Sequence, residues 1–71
     1  MKSFHEFSTD FGAWLREARK AKKLSMTELG LQMGGFHRNT ILRWEMGSTL
    51  PDVREYALLQ QVLEAKFEGI A

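Results

Sequence analysis

Apolar residues recur along this chain at spacings of three and four, the period of an amphipathic helix, and nowhere alternate as they would in a strand. The first series predicts a helix over about 9–22, with Phe11 and Leu15 on its inward stripe. Ser8 precedes the series and is a residue type that caps helix starts. Residues 1–7 are then expected to form an N-terminal arm.

A second helix is marked by residues at its two ends. Ser25 and Glu28 match a capping box, in which the serine oxygen accepts from a backbone N–H and the glutamate accepts from the serine N–H. The box predicts a helix over about 26–33. Gly34 and Gly35 are expected to end it, because glycine accepts the left-handed backbone that a helix stop commonly needs.

Two further helices complete the pattern. One is predicted over about 37–45, with Ile41 and Trp44 facing inward. The start of the other can be capped by Asp52 together with Glu55. Its inward stripe is predicted to comprise Val53, Tyr56, Ala57, Leu59 or Gln60, Leu63 and Phe67.

The chain of 71 residues therefore predicts an all-α fold, a small bundle of four or five helices formed by residues 8–71 as one domain. Hydrophobic residues make up 44% of the sequence, which is enough for a packed core. The absence of cysteine excludes a disulfide scaffold and a thiolate metal site. No apolar run is long enough to span a bilayer.

Catalytic and cofactor chemistry find little support in the sequence. The two histidines, His5 and His37, have no cysteine partners, so we predict no metal site. No serine, histidine and acid have a spacing that suggests a catalytic triad, and Gly34-Gly35 is better explained as a turn than as a nucleotide cradle. We therefore predict neither an enzyme nor a cofactor, and no small-molecule ligand is evident.

Charge is unevenly distributed along the chain, although the net value is only +1. Residues 11–43 hold seven basic and two acidic side chains, a net +5, whereas residues 44–71 hold two basic and five acidic side chains, a net −3. Such polarity can orient a protein on a polyanion. For the basic stretch 16–23 alone, an ordinary solvated helix face is the simpler explanation.

The third predicted helix turns one face outward, and its members are Arg38, Asn39, Leu42, Arg43 and Met46. This face has two guanidinium groups, one carboxamide and no acid. Arginine can bond a guanine edge, asparagine an adenine edge, and an aliphatic side chain can rest on a thymine methyl group. An ordinary polar exterior would look similar, but an exposed Leu42 between two arginines is unfavourable unless something covers it.

Four motifs spread over residues 11–63 point to a known family. They are Phe11-Gly12-x-x-Leu15-Arg16-x-x-Arg19, Leu24-Ser25-x-x-Glu28-Leu29, Thr40-Ile41-x-Arg43-Trp44-Glu45-x-Gly47 and Pro51. Because these motifs occur in this order, the chain resembles the Cro and phage-repressor type of helix-turn-helix, also called the XRE or lambda-repressor-like family. The resemblance implies a bundle in which the second and third helices bind DNA and the third enters the major groove.

The resemblance also implies roles for individual positions. Contacts to bases or phosphates fall on His37, Arg38, Asn39, Leu42 and Arg43, and phosphate contacts fall on Ser25, Met26 and, more weakly, Lys23. Arg19 and Glu45 correspond to an internal salt bridge that ties the first helix to the end of the third. This last pair would position the third helix and not read DNA.

The chain departs from the family pattern in three places. The interval from Leu29 to Ile41 is one residue longer than the commonest pattern, so the turn is expected to be reshaped. Met26 stands where relatives have a phosphate-binding glutamine, which leaves only backbone amides for that contact. His37 replaces a small hydroxyl residue that often caps the third helix, and we expect it to cap poorly.

We therefore predict a sequence-specific protein that binds double-stranded DNA, a small prokaryotic or phage transcriptional regulator in the cytoplasm with the nucleoid. A homodimer could form through Phe67 and Ile70, but Phe67 could equally complete the core. The alternative function is a protein-interaction module, an antitoxin or adaptor on the same fold. Its contact surface would comprise Trp14, Leu42 and Met46.

Overall fold

The computed structural model describes residues 3–68, and within them the chain forms four helices and no strand. In chain order they are α1 (Phe4–Ala21), α2 (Met26–Gln32), α3 (Arg38–Met46) and α4 (Val53–Leu63). The all-α prediction is confirmed, with four helices in this part of the chain. None of them combines the length and the hydrophobicity needed to cross a membrane.

The first helix, α1, begins at Phe4 and not near residue 9, as its apolar stripe predicted. Ser3 is the N-cap: its Oγ accepts from the Glu6 N–H at 3.2 Å, and the Glu6 carboxylate accepts from the Ser3 N–H at 3.4 Å. Ser8, expected as the cap, lies fully buried inside the helix. Residues 4–7, expected in an N-terminal arm, are therefore helical because a capping box stands ahead of them.

One apolar cluster holds the four helices together. Its buried members are Phe11, Leu15, Leu29, Met33, Ile41, Trp44, Leu59 and Leu63. Every helix contributes at least one of them, and full burial of such a side chain is worth about 1.5–3 kcal/mol. The inward positions predicted for the first three helices are thus mostly confirmed, with Ala18 and Met26 half-buried against the cluster.

The buried face of α4 is rotated relative to the predicted stripe. Val53 is 86% exposed and Ala57 is also exposed, although both were predicted to face inward. Leu58 and Val62 pack against the core instead. Together with the two buried leucines of this helix they form a wider apolar stripe, whose burial outweighs that of one valine and one alanine.

The segment after α4 returns to the core at Phe67. Its ring centroid lies 5.5–5.6 Å from three other ring centroids, those of Phe7, Phe11 and Trp14. The Phe67 N–H donates to Gln60 Oε1 at 3.1 Å, and the Tyr56 hydroxyl donates to the Phe67 carbonyl at 3.2 Å. Burial raises the pKa of Tyr56, so its hydroxyl keeps the donated proton. Phe67 therefore packs half-buried against the core, and Ile70 lies outside the described residues.

The helices α1 and α3 pack closely because α1 carries a glycine where they meet. A Cβ built on Gly12 would lie 2.3 Å from the carbonyl oxygen of Glu45 and 2.9 Å from that of Trp44. Side chains do not approach a backbone that closely, so only glycine allows this separation. Gly12 therefore sets how deeply α3 sits on α1.

We expect Gly12→Ala to destabilise the protein. At an open helix position the same substitution stabilises by up to about 1 kcal/mol, because alanine has the higher helix propensity. Here the added methyl group would force α3 away from α1, at a cost of about 1–3 kcal/mol. Chemical denaturation gives the sign directly, and a variant more stable than the parent would show that the two backbones are not in contact.

Candidate nucleic-acid interface

The turn between α2 and α3 folds back tightly on Gly30 of α2. A Cβ on Gly30 would lie 2.0 Å from the Phe36 carbonyl oxygen. The Gly30 carbonyl accepts from the N–H groups of Gly35 and Phe36, at 3.0 and 2.9 Å. Gly34 and Gly35 both adopt positive φ angles, 102° and 106°. Two left-handed residues thus accommodate the longer turn that the sequence indicated.

The third helix, α3, begins at Arg38, and His37 is its N-cap. The Nδ1 atom of His37 accepts a hydrogen bond from the backbone N–H of Asn39 at 3.0 Å. The expectation that His37 would cap poorly is therefore wrong. An imidazole nitrogen takes the acceptor role that a side-chain oxygen commonly has at this position, which fixes the backbone of the first turn.

The outward face of α3 is cationic. Arg38, Asn39 and Arg43 are exposed, and Ile41 and Trp44 are buried on the opposite side. The two ion pairs in the described part of the chain include neither arginine of this face. No acidic side chain there neutralises these two guanidinium groups, so they remain available to an external acceptor.

The apolar residues near this face are less exposed than predicted. Leu42 is half-buried. The expectation of a fully exposed Leu42 that requires a cover is therefore wrong. Trp14 is half-buried among the core aromatic rings. Of the three residues assigned to the alternative protein contact, only Met46 is largely exposed, at 68%.

Arg19 and Glu45 form a bidentate ion pair between α1 and α3. The Arg19 Nε atom lies 2.6 Å from Glu45 Oε2, and Nη2 lies 3.2 Å from Oε1. The Arg19 Nη1 atom also donates to the Leu24 carbonyl at 2.8 Å, a contact without any sequence signal because every residue has a carbonyl. The two side chains are only 12% and 5% exposed. The pair joins α1, the following turn and the end of α3.

The start of α2 carries a complete capping box. Ser25 Oγ accepts from the Glu28 N–H at 3.0 Å, and the Glu28 carboxylate accepts from the Ser25 N–H at 2.8 Å. Hydrogen bonds from Ser25 hold the pKa of Glu28 below its usual value. The box leaves the amides of Met26 and Thr27 for an external anion, and the Met26 side chain packs half-buried against the core.

Two lysines at the end of α1 have different surroundings. Lys22 pairs with the Glu64 carboxylate at the end of α4, and this contact lowers the pKa of Glu64. Lys23 is exposed, with a left-handed backbone at φ 57° and its N–H bonded to the Lys20 carbonyl. Neither described ion pair includes Lys23, and Lys23 is the basic residue that lies closest in sequence to Ser25.

A groove of about 140 Å³ between α1 and α4 offers little polar chemistry. It is lined by Phe7, Phe11, Leu50, Pro51, Asp52, Val53 and Tyr56. The carboxylate of Asp52 already accepts from the Glu55 N–H at 2.7 Å as the cap of α4. Among the described residues, no group of three His, Asp or Glu side chains is arranged to hold a metal ion. We therefore place the candidate site on α2 and α3.

A helix-turn-helix family model matches residues 15–70, which is most of the chain and includes α2, the glycine turn and α3. The chain belongs to the Cro and phage-repressor type of helix-turn-helix proteins. No curated protein matches the sequence. Membership makes the chain a DNA-binding helix-turn-helix regulator in general terms. The roles of its individual residues toward DNA stay predictions.

Removing the acid of the internal ion pair should destabilise this helix-turn-helix domain. We expect Glu45→Gln to lower the free energy of unfolding by about 3 kcal/mol, because the largely buried charge of Arg19 loses its counter-ion. The matched control is Glu64→Gln, which makes the same change in an exposed pair and should alter the melting temperature little. Equal melting temperatures for the two variants would show that the buried Arg19–Glu45 pair contributes no more to stability than the exposed pair does.

Acid should loosen α2 through its capping box. The pKa of Glu28 in the fold lies below its usual 4.5, so its contribution to stability is complete above pH 4.5 and is lost as the pH falls through the lower folded value. The glutamine of Glu28→Gln cannot ionise. Below pH 4.5 the unfolding free energy of this variant should therefore depend less steeply on pH than that of the parent. Identical slopes for the variant and the parent would contradict this assignment.

Proposed function

We propose that this protein recognises specific sequences of double-stranded DNA by inserting α3 into the major groove. The observation that carries the proposal is the outward face of α3, where Arg38, Asn39 and Arg43 are exposed and no described acid pairs with either arginine. A helix fits the width of that groove, and these side chains can bond the edges of guanine and adenine. Leu42, which is half-buried on the same helix, would meet a thymine methyl group.

Phosphates would be held at the edges of this contact. His37 is exposed and can donate from Nε2, because its Nδ1 already accepts from Asn39. Lys23 offers an exposed ammonium group. At the start of α2 the side chain and the amide of Ser25 belong to the capping box, so the amide of Met26 would be the donor to a phosphate. These contacts would set the register of α3 on the duplex without reading bases.

The biological role that fits this binding mode is control of transcription by occupancy, in which the bound protein blocks or recruits polymerase. A prokaryotic or phage repressor that lies in the cytoplasm with the nucleoid is the simplest such regulator. Occupancy requires no catalytic group and no cofactor. Helix-turn-helix modules commonly bind palindromic half-sites as two-fold dimers. We include a homodimer in the proposal, with a contact through the final helix and the half-buried Phe67 that follows it.

Selection from a library of random duplexes, followed by footprinting, tests base recognition. Arg38→Ala and Asn39→Ala should each relax the preference at one base pair, at a cost of about 1–3 kcal/mol in discrimination. Arg16→Ala is the matched control, because it removes an exposed arginine from α1 and should leave the preferred sequence unchanged. If both α3 variants keep the parental preference at every base pair, α3 does not read the sequence.

The salt dependence of binding separates DNA recognition from a protein contact. Affinity for the selected duplex should fall steeply with rising salt, and Arg43→Ala should reduce the slope by about one if that side chain meets a phosphate. An unchanged slope with altered base preference would place Arg43 on a base edge. A protein partner held through the exposed Met46 would instead bind almost independently of salt and be lost in Met46→Ser.

A further inference from the structure

We propose that His37 is a positioning residue for the first turn of α3, and that protonation of its imidazole lowers the protein's discrimination between DNA sequences. The second half of this inference rests on the proposed function, and the first half concerns the free protein alone. The N-cap of the helix proposed to read DNA is here a histidine, a residue type whose side chain can gain a proton.

The geometry requires a neutral ring. His37 Nδ1 accepts the Asn39 N–H at 3.0 Å, and an imidazole nitrogen can accept only while it carries no proton. The proton of the neutral ring must then lie on Nε2. A protonated imidazole is a donor at both nitrogens, so Nδ1–H would face the Asn39 N–H with no acceptor between them.

The consequences fall on the residues that we assign to base recognition. Arg38 and Asn39 occupy the first turn of α3. The hydrogen bond to His37 holds the backbone N–H of Asn39. The Asn39 amide is one of the first N–H groups of a helix, which have no partner within the helix itself. Loss of the cap would therefore loosen the turn that orients both side chains.

Charged side chains near His37 come from two helices. They are Arg38 and Arg43 on α3, and Asp52, Arg54 and Glu55 at the start of α4; these last three line a groove together with Phe36, the residue that precedes His37 in the chain. The two carboxylates of that groove already form the capping box of α4. The last turn of α2, which precedes the glycine turn, has no basic residue. No described carboxylate forms an ion pair with His37.

Protonation acts on DNA binding in two opposite ways. An added positive charge strengthens attraction to any duplex through its phosphates. Loss of the cap weakens only the contacts that depend on an ordered first turn. The ratio of affinities for the selected duplex and for a duplex altered at the base pair read by Asn39 isolates the second effect, because the charge effect is common to both duplexes.

The first measurement concerns the free protein. The amide exchange of Asn39 should become faster than that of an amide in the middle of α1 as the pH falls from about 8 to 5, the range in which imidazoles change charge. The rates are compared after correction for the intrinsic pH dependence of exchange. His37→Asn should abolish this extra loss of protection, because asparagine is a strong N-cap that does not titrate. His5→Asn is the control, since that exposed histidine lies within α1 and caps nothing.

The second measurement concerns discrimination. For the parent and for His5→Asn, the affinity ratio should fall about threefold to tenfold between pH 8 and pH 5, the change expected on loss of one N-cap. His37→Asn also loses the proposed Nε2 contact to a phosphate, so it should bind both duplexes more weakly, but its affinity ratio should not change with pH. His37→Ala should show a low ratio throughout. A parental ratio that does not change with pH, or an equal fall in His37→Asn, would overturn the proposal.

The two measurements also separate this proposal from the proposed function. If no duplex is selected, base recognition and its pH dependence fail together, while the amide exchange of Asn39 still decides whether His37 is a titrating cap. If a duplex is selected but protection of Asn39 does not respond to pH, the proposed function stands and the role of His37 is wrong.

Discussion

The placement of α3 depends on a shielded ion pair between Arg19 and Glu45 and on the glycine that lies beside it. The Glu45 carboxylate accepts from Arg19, and its backbone carbonyl lies against Gly12, so one residue fixes both the orientation and the depth of α3. Arg38 and Asn39 point outward because the opposite side of the same helix is held in this way. The residues proposed to read DNA therefore owe their positions to a contact that is largely shielded from solvent.

Most helix boundaries could be predicted from local chemistry. The capping boxes of α2 and α4 are visible as a serine or aspartate followed three residues later by glutamate, and each one forms in the structure. Ser3 and Glu6 have the same spacing. The apolar stripe of α1 alone predicts a start that is too late, because a cap can begin a helix before its buried face begins.

Sequence patterns could not predict the burial of a side chain where that burial depends on residues that are close in space but distant in sequence. Val53 and Leu42 have similar hydrophobicity, yet the first is almost fully exposed and the second is half-buried. The hydrogen bond at His37 could not be expected from general preferences either, because histidine is not among the preferred N-cap residues. The face proposed to contact DNA was visible in the spacing of its side chains, whereas the base sequence that it prefers depends on the duplex as well.

The left-handed backbone at Lys23 has a consequence for engineering. A non-glycine residue in that conformation bears about 1–2 kcal/mol of steric strain that glycine would not. Relief of this strain at Lys23 would therefore raise the thermal stability of the domain. Lys23→Gly would relieve the strain but would also remove the basic side chain closest in sequence to Ser25. A gain in thermal stability at this residue would therefore reduce the attraction to a polyanion.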